Sequence, residues 1–111
     1  MASYANLTAD QGADFETEIT LENEHFDAIN LTGYVVTGQV RRTYKSSTSY
    51  NFVITVNAPS SGVIKIRLPP STTASMKYGR YVYDIYATNN TTNQVYKVLE
   101  GILEIVPRVT R

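Results

Sequence analysis

Apolar and polar residues alternate along most of this chain. In residues 14–21, Phe15, Ile19 and Leu21 share one parity while Glu16, Glu18 and Thr20 share the other. Side chains on a β-strand point to opposite faces in turn, so this spacing predicts a half-buried antiparallel strand with an acidic outer face. The same period recurs in 34–43, where Tyr34, Val36, Gly38 and Val40 oppose Val35, Thr37, Gln39 and Arg41. A mid-strand glycine, Gly38, predicts a bulge or a close approach of neighbouring backbone. Phe52, Ile54 and Val56 mark a third strand, and Ile64, Ile66 and Leu68 a fourth whose outer face carries Lys65 and Arg67. Residues 80–87 place Tyr81, Tyr83, Ile85 and Ala87 on one face, and 94–106 supply a last strand or pair of strands, broken near Glu100-Gly101.

The punctuation between these runs is as regular. Ile29 and Leu31 are alternate anchors before Gly33, Asn57 to Gly62 turns the chain back, and 89–93 has the composition of a hairpin connection. Pro69-Pro70 stops the fourth strand, since proline has no N–H to donate to a ladder. Residues 71–77 then read as one short helical turn crossing an end of the fold, capped by Ser71 or Thr72 and followed by Gly79. About seven short strands with turn signals between them predict an all-β, immunoglobulin-like antiparallel β-sandwich, with a small closed barrel as the rival. Residues 1–12 show no periodicity and read as an extended N-terminal arm; 13–111 form the sandwich domain. Removing residues 2–11 is expected to leave the fold intact and weaken assembly.

Length and composition agree with one compact core, because 111 residues suffice to bury about two-thirds of the unfolded chain's surface. No window approaches the roughly 20 apolar residues of a membrane span, and the first residues have neither a basic nor an apolar leader region, so synthesis and folding in a cytoplasm are expected. There is no cysteine, which excludes a disulfide framework, a thiolate nucleophile and cysteine-bound metal.

Charge changes the picture through its distribution. The formal net charge is +0, which argues against a chain devoted to holding nucleic acid by its phosphates. Before Arg41 there are seven acids and no Lys or Arg; from Arg41 onward ten bases meet three acids. Either the two sets lie on different faces, giving a dipole suited to head-to-tail contact, or they pair within the fold.

Candidate chemistry is sparse. The single histidine, His25, has no nucleophile elbow near it and reads as a surface loop residue. Glu16 with Glu18, and Glu100 with Glu104, share strand faces as a glycosidase pair would, but alternation puts them on the exposed side, where charges keep strands soluble and block wrong pairing. Glu22, Asn23, Glu24 and Asp27 offer oxygens to a hard cation without EF-hand spacing. Four glycosylation sequons, at Asn6, Asn30, Asn89 and Asn90, read as plain turn residues. Nine tyrosines and no tryptophan suit a core or a subunit interface better than base stacking. No catalytic residue, cofactor, metal, membrane or small-molecule substrate is indicated. A partner-binding surface is expected on edge strands, the arm and the loop 44–50, with Glu16, Glu18, Arg41, Arg42, Lys45, Tyr50, Lys65 and Arg67 as its residues.

Four stretches in order carry a resemblance: Gly12 to Phe15, Ile29 to Tyr34 running on to Arg41, Gly79 to Ile85, and Leu99 to Pro107 with Val109 to Arg111. They resemble small immunoglobulin-like structural proteins of tailed bacteriophages, including the N-terminal domain of baseplate upper proteins, over about residues 12–111. The resemblance implies a non-enzymatic virion protein, made in the host cytoplasm, that docks onto other virion proteins of the baseplate, tail or neck and onto copies of itself. A capsid decoration (cement) protein is the alternative in that setting, and a carbohydrate-binding module the alternative of another class. The long fibre-forming or receptor-linking region that follows the baseplate domains is not matched here, which favours a stand-alone subunit.

Overall fold

The computed structural model describes residues 3–21 and 30–109; His25 and the acidic cluster 22–27 lie outside them. The strands are β1 (Ser3–Tyr4), β2 (Leu7–Asp10), β3 (Phe15–Thr20), β4 (Tyr34–Arg41), β5 (Ser49–Asn51), β6 (Val53–Ala58), β7 (Val63–Leu68), β8 (Gly79–Asn89) and β9 (Val95–Val106). A 3-10 turn spans Pro59–Ser61, and one helix, α1, spans Pro70–Ser75. They form a two-sheet β-sandwich, as the alternation predicts.

The smaller sheet runs β3-β7-β6, all antiparallel. In the larger one β9, β8, β4 and β5 are antiparallel neighbours, and both β1 and β2 lie along the free side of β9. The chain joins the sheets at Phe52: its N–H donates to the Gly38 carbonyl (3.0 Å), the last bond to β4 before β6 enters the other layer. The expected close approach at Gly38 is present, without a bulge, since a Cβ there would stand 3.0 Å from the Asp84 carbonyl oxygen and 3.1 Å from the Phe52 ring.

Inward residues of both sheets meet in one core: Ile64, Ile66 and Leu68 from β7, Tyr81, Tyr83 and Ile85 from β8, and Leu99, Leu103 and Ile105 from β9. Burying each such side chain contributes about 1.5–3 kcal/mol, which makes the alternation decisive for register. Phe52 meets Tyr83 edge-to-face at 5.8 Å. Leu31 closes one end as a plug, with its N–H on the Pro59 carbonyl, and Gly33 turns into β4 at φ +81°.

Three expectations are corrected by the structure. The N-terminal segment is extended, but it is no free arm: β1 and β2 pair with β9 in parallel without a slip in register, and Ala9 joins the core. Short, weakly alternating segments such as Leu7-Thr8-Ala9-Asp10 give little periodic signal, although an edge strand needs only one buried parity. The last strand is unbroken at Gly101, where glycine serves packing; a Cβ would stand 1.9 Å from the Ala5 carbonyl oxygen. The helix begins at Pro70 after Pro69, with no side-chain cap from Ser71 or Thr72. Proline at the first helical position needs no cap for its missing N–H. Instead Thr73, fully buried, donates its hydroxyl to the Ala13 carbonyl at 2.8 Å and so ties the helix to the entry of β3.

Candidate docking surfaces

The eight residues expected to bind a partner fall into two groups on different layers. Glu16 and Glu18 on β3 face Arg67 and Lys65 on β7 in cross-strand register. Lys65 pairs with Glu16 at 3.4 Å and Arg67 with Asp14 at 2.7 Å, while Glu18 accepts from the Asn57 amide at 3.2 Å. The acids and bases of this face therefore pair within the fold. Each such exposed pair is worth up to about 1 kcal/mol, and its charges also discourage strand-to-strand association along the β3 edge.

The second group stands at the end of the sandwich where the 42–48 loop, α1 and residues 107–109 come together. Arg41 points along the outer face of the larger sheet, bonding the Gln39 side-chain oxygen at 3.1 Å and the Ser46 carbonyl. Arg42 turns the other way: its guanidinium lies 5.0 Å from the centre of the Tyr81 ring and donates to the Tyr78 carbonyl at 3.3 Å. Tyr50 meets Tyr81 edge-on at 6.3 Å, and Lys45 is exposed beside Tyr44. Among the described residues the ion pairs are Lys65–Glu16, Arg67–Asp14 and Lys97–Glu100, so no carboxylate stands within 4.0 Å of Arg42, Lys45, Lys77 or Arg108. Lys77, Tyr78 and Arg108 belong to this end; of these, sequence singled out Tyr78 alone, and only as one of the tyrosines near the basic half. They sit in loops without period, and Gly79 is legible only as the exit from the helical turn.

A third surface carries no charge. β5 covers only Gln39, Val40 and Arg41 of β4, so Tyr34 to Thr37 have β8 on one side and no strand on the other among the described residues. Val35, Thr88 and Val95 form one row across the outer face here. Val35 is 48% exposed and Val95 57%, with the Tyr96 ring beside Tyr34 at 6.4 Å. An exposed apolar row next to an unpaired edge is the usual form of a strand-pairing surface.

Between these regions, Thr37, Gln39, Asn51, Asp84, Tyr86 and Thr88 line an open groove of about 820 Å³ on the outer face. Asp84 lies directly opposite Glu100. Burial pushes the Asp84 carboxyl above its ordinary range; Lys97 and Arg41 draw it back and Glu100 adds to the rise. The tyrosines do not form a row over this groove: Tyr81 and Tyr83 are in the core, while the most exposed rings, Tyr4, Tyr44 and Tyr78, are scattered over separate elements.

No protein family matches the chain, and no curated protein does. Among solved structures it is similar to Listeria monocytogenes InlP, at 16% identity and TM-score 0.50, over 95% of this chain and 28% of that one. It is also similar to a family 123 glycoside hydrolase from Clostridium perfringens, at 14% identity and TM-score 0.43, over 97% of this chain and 24% of that one. The chain thus spans well under a third of either protein, and the likeness to InlP is one of fold.

Proposed function

We propose that this chain is a non-enzymatic structural module of a tailed-phage virion, docking onto baseplate, tail or neck proteins and onto copies of itself. The observation that carries the reading is the uncharged length of β4, unpaired among the described residues, with exposed Val35 on it and Val95 in the same row across the outer face. An edge left without charge, proline or cover pairs readily with another chain, and natural sandwiches that work alone blunt such edges. The ordered stretches that resemble small virion proteins support the setting; a capsid decoration role would use the same surfaces.

Two measurements test it together. Sedimentation velocity of the purified chain should show concentration-dependent self-association that Val35→Lys abolishes while the melting temperature holds. Mass spectrometry of purified virions should find the chain at a few to a few dozen copies for a baseplate or neck position, or hundreds for capsid decoration. A chain that stays monomeric and is missing from virions overturns the proposal.

A further inference from the structure

The basic end brings two guanidinium groups over two glycines far apart in sequence. Gly79 adopts φ +128°, and a Cβ there would lie 2.6 Å from both terminal nitrogens of Arg42. Gly12 adopts φ +79°, and a Cβ there would lie 2.0 Å from a terminal nitrogen of Arg108. Each guanidinium thus lies over a glycine whose missing side chain leaves it room. Arg42 is further fixed by the Tyr78 carbonyl and the Tyr81 ring. Between the two arginines lies a groove of about 620 Å³ lined by Gln11, Lys77, Tyr78 and Pro107 as well. Gln11 is itself locked, its amide donating to the Met76 carbonyl at 2.9 Å. A second hollow of about 490 Å³ continues past Arg42 and Lys77 to the hydroxyls of Ser46, Thr48, Tyr50 and Ser75.

Among the described residues, no acidic residue lines either hollow. The carboxylate of Asp14 pairs with Arg67, and among the described residues Asp10 makes no ion pair. Two guanidinium groups and an ammonium lining one groove make a receptor for oxyanions, since the planar fork of an arginine binds a carboxylate in bidentate fashion.

We infer that this groove binds an acidic segment of a partner protein through its carboxylates, with Arg42 and Arg108 as the two anchors. Carboxylates are favoured over a phosphate backbone because the chain has a formal net charge of +0. A binder of nucleic acid draws on a broad positive field along many phosphates, whereas here the excess charge is confined to one short groove. The inference concerns one end of the sandwich and does not depend on the virion setting or on pairing at β4.

The test is fluorescence anisotropy with a labelled octa-glutamate peptide, set against octa-glutamine and an eight-nucleotide oligothymidine of the same label. The whole chain should bind octa-glutamate in a salt-sensitive manner, ignore octa-glutamine and bind the oligonucleotide at least tenfold more weakly. The double variant Arg42→Gln with Arg108→Gln should lose tenfold or more in affinity at unchanged melting temperature, and Lys65→Gln, on the paired face, should bind like the parent. Absence of octa-glutamate binding overturns the inference. So does equal or tighter oligonucleotide binding, which would assign the groove to nucleic acid, and so does an equal loss in Lys65→Gln, which would mean diffuse charge attraction without a built site.

Discussion

The hydroxyl of Tyr83 donates a hydrogen bond to the main-chain carbonyl of Ala5 at 2.6 Å, across 78 residues of sequence. This contact fastens the N-terminal edge strand to the centre of the larger sheet, at the level of Gly101, the residue opposite Tyr83 on β9. Burial pushes the Tyr83 phenol up to about 12, with the nearby Tyr4 adding to the rise.

Tyr83→Phe should therefore destabilise the fold by about 1–2 kcal/mol, the worth of a buried bond whose acceptor is left unpaired. The parent should also lose stability as pH rises from about 10 to about 12, because the unfolded chain releases the phenolic proton at lower pH than the folded one. The loss from this single group is at most about 2 kcal/mol once partial screening by solvent is allowed for, fully present as stability below pH 10. Chemical denaturation at pH 8 and pH 11.5 checks both; a variant whose alkaline loss equals the parent's would assign the effect to other groups.

Gly101→Ala should act on the same junction from the other side. Its methyl would stand 1.9 Å from the Ala5 oxygen, so the edge strand must shift away. Hydrogen exchange should quicken across residues 3–10 while β7 stays protected, with a cost of about 1–3 kcal/mol.

Deletion of residues 2–11 should lower stability, contrary to what the sequence suggests. It strips Ala9 from the core, removes the Gln11 bond to Met76, and bares the edge of β9. A thermal melt should fall by more than about 5 °C, the shift that roughly 1 kcal/mol produces in a domain of this size. An unchanged melt would return the segment to the status of an arm.

Glu16→Gln should change stability by less than about 1 kcal/mol, since the pair with Lys65 is exposed and screened. Urea denaturation at low and high salt measures this directly; a larger effect would mean that the outer face of the small sheet is more tightly coupled than its geometry indicates.

Much of the fold was legible because burial and strand period leave the same trace. Phe15, Ile64, Ile66, Tyr81 and Ile85 announce their faces by parity alone. The edge strand was not, since Ala9 is one small residue in a short polar stretch. For the surfaces, sequence reasoning found Glu16, Lys65 and Arg67 by their faces but not their pairing, which depends on β3 and β7 lying side by side. The arginine groove was half visible: Arg42 was named, yet Gly12 and Gly79 bear on it only through contacts between distant loops, and Arg108 follows the last strand where no period reaches.

The parallel course of β2 and β9 has a mechanical consequence. β1 and β2 lie nearest one end of the described chain and β9 nearest the other, and β2 is bonded directly to β9 from Leu7↔Leu103 to Asp10↔Val106. Tension applied between the chain ends would slide one strand lengthwise against the other, loading their hydrogen bonds together in shear instead of opening them one by one. A sandwich threaded this way resists pulling along its strands, and its lifetime under load is set by the rate at which that single seam gives way.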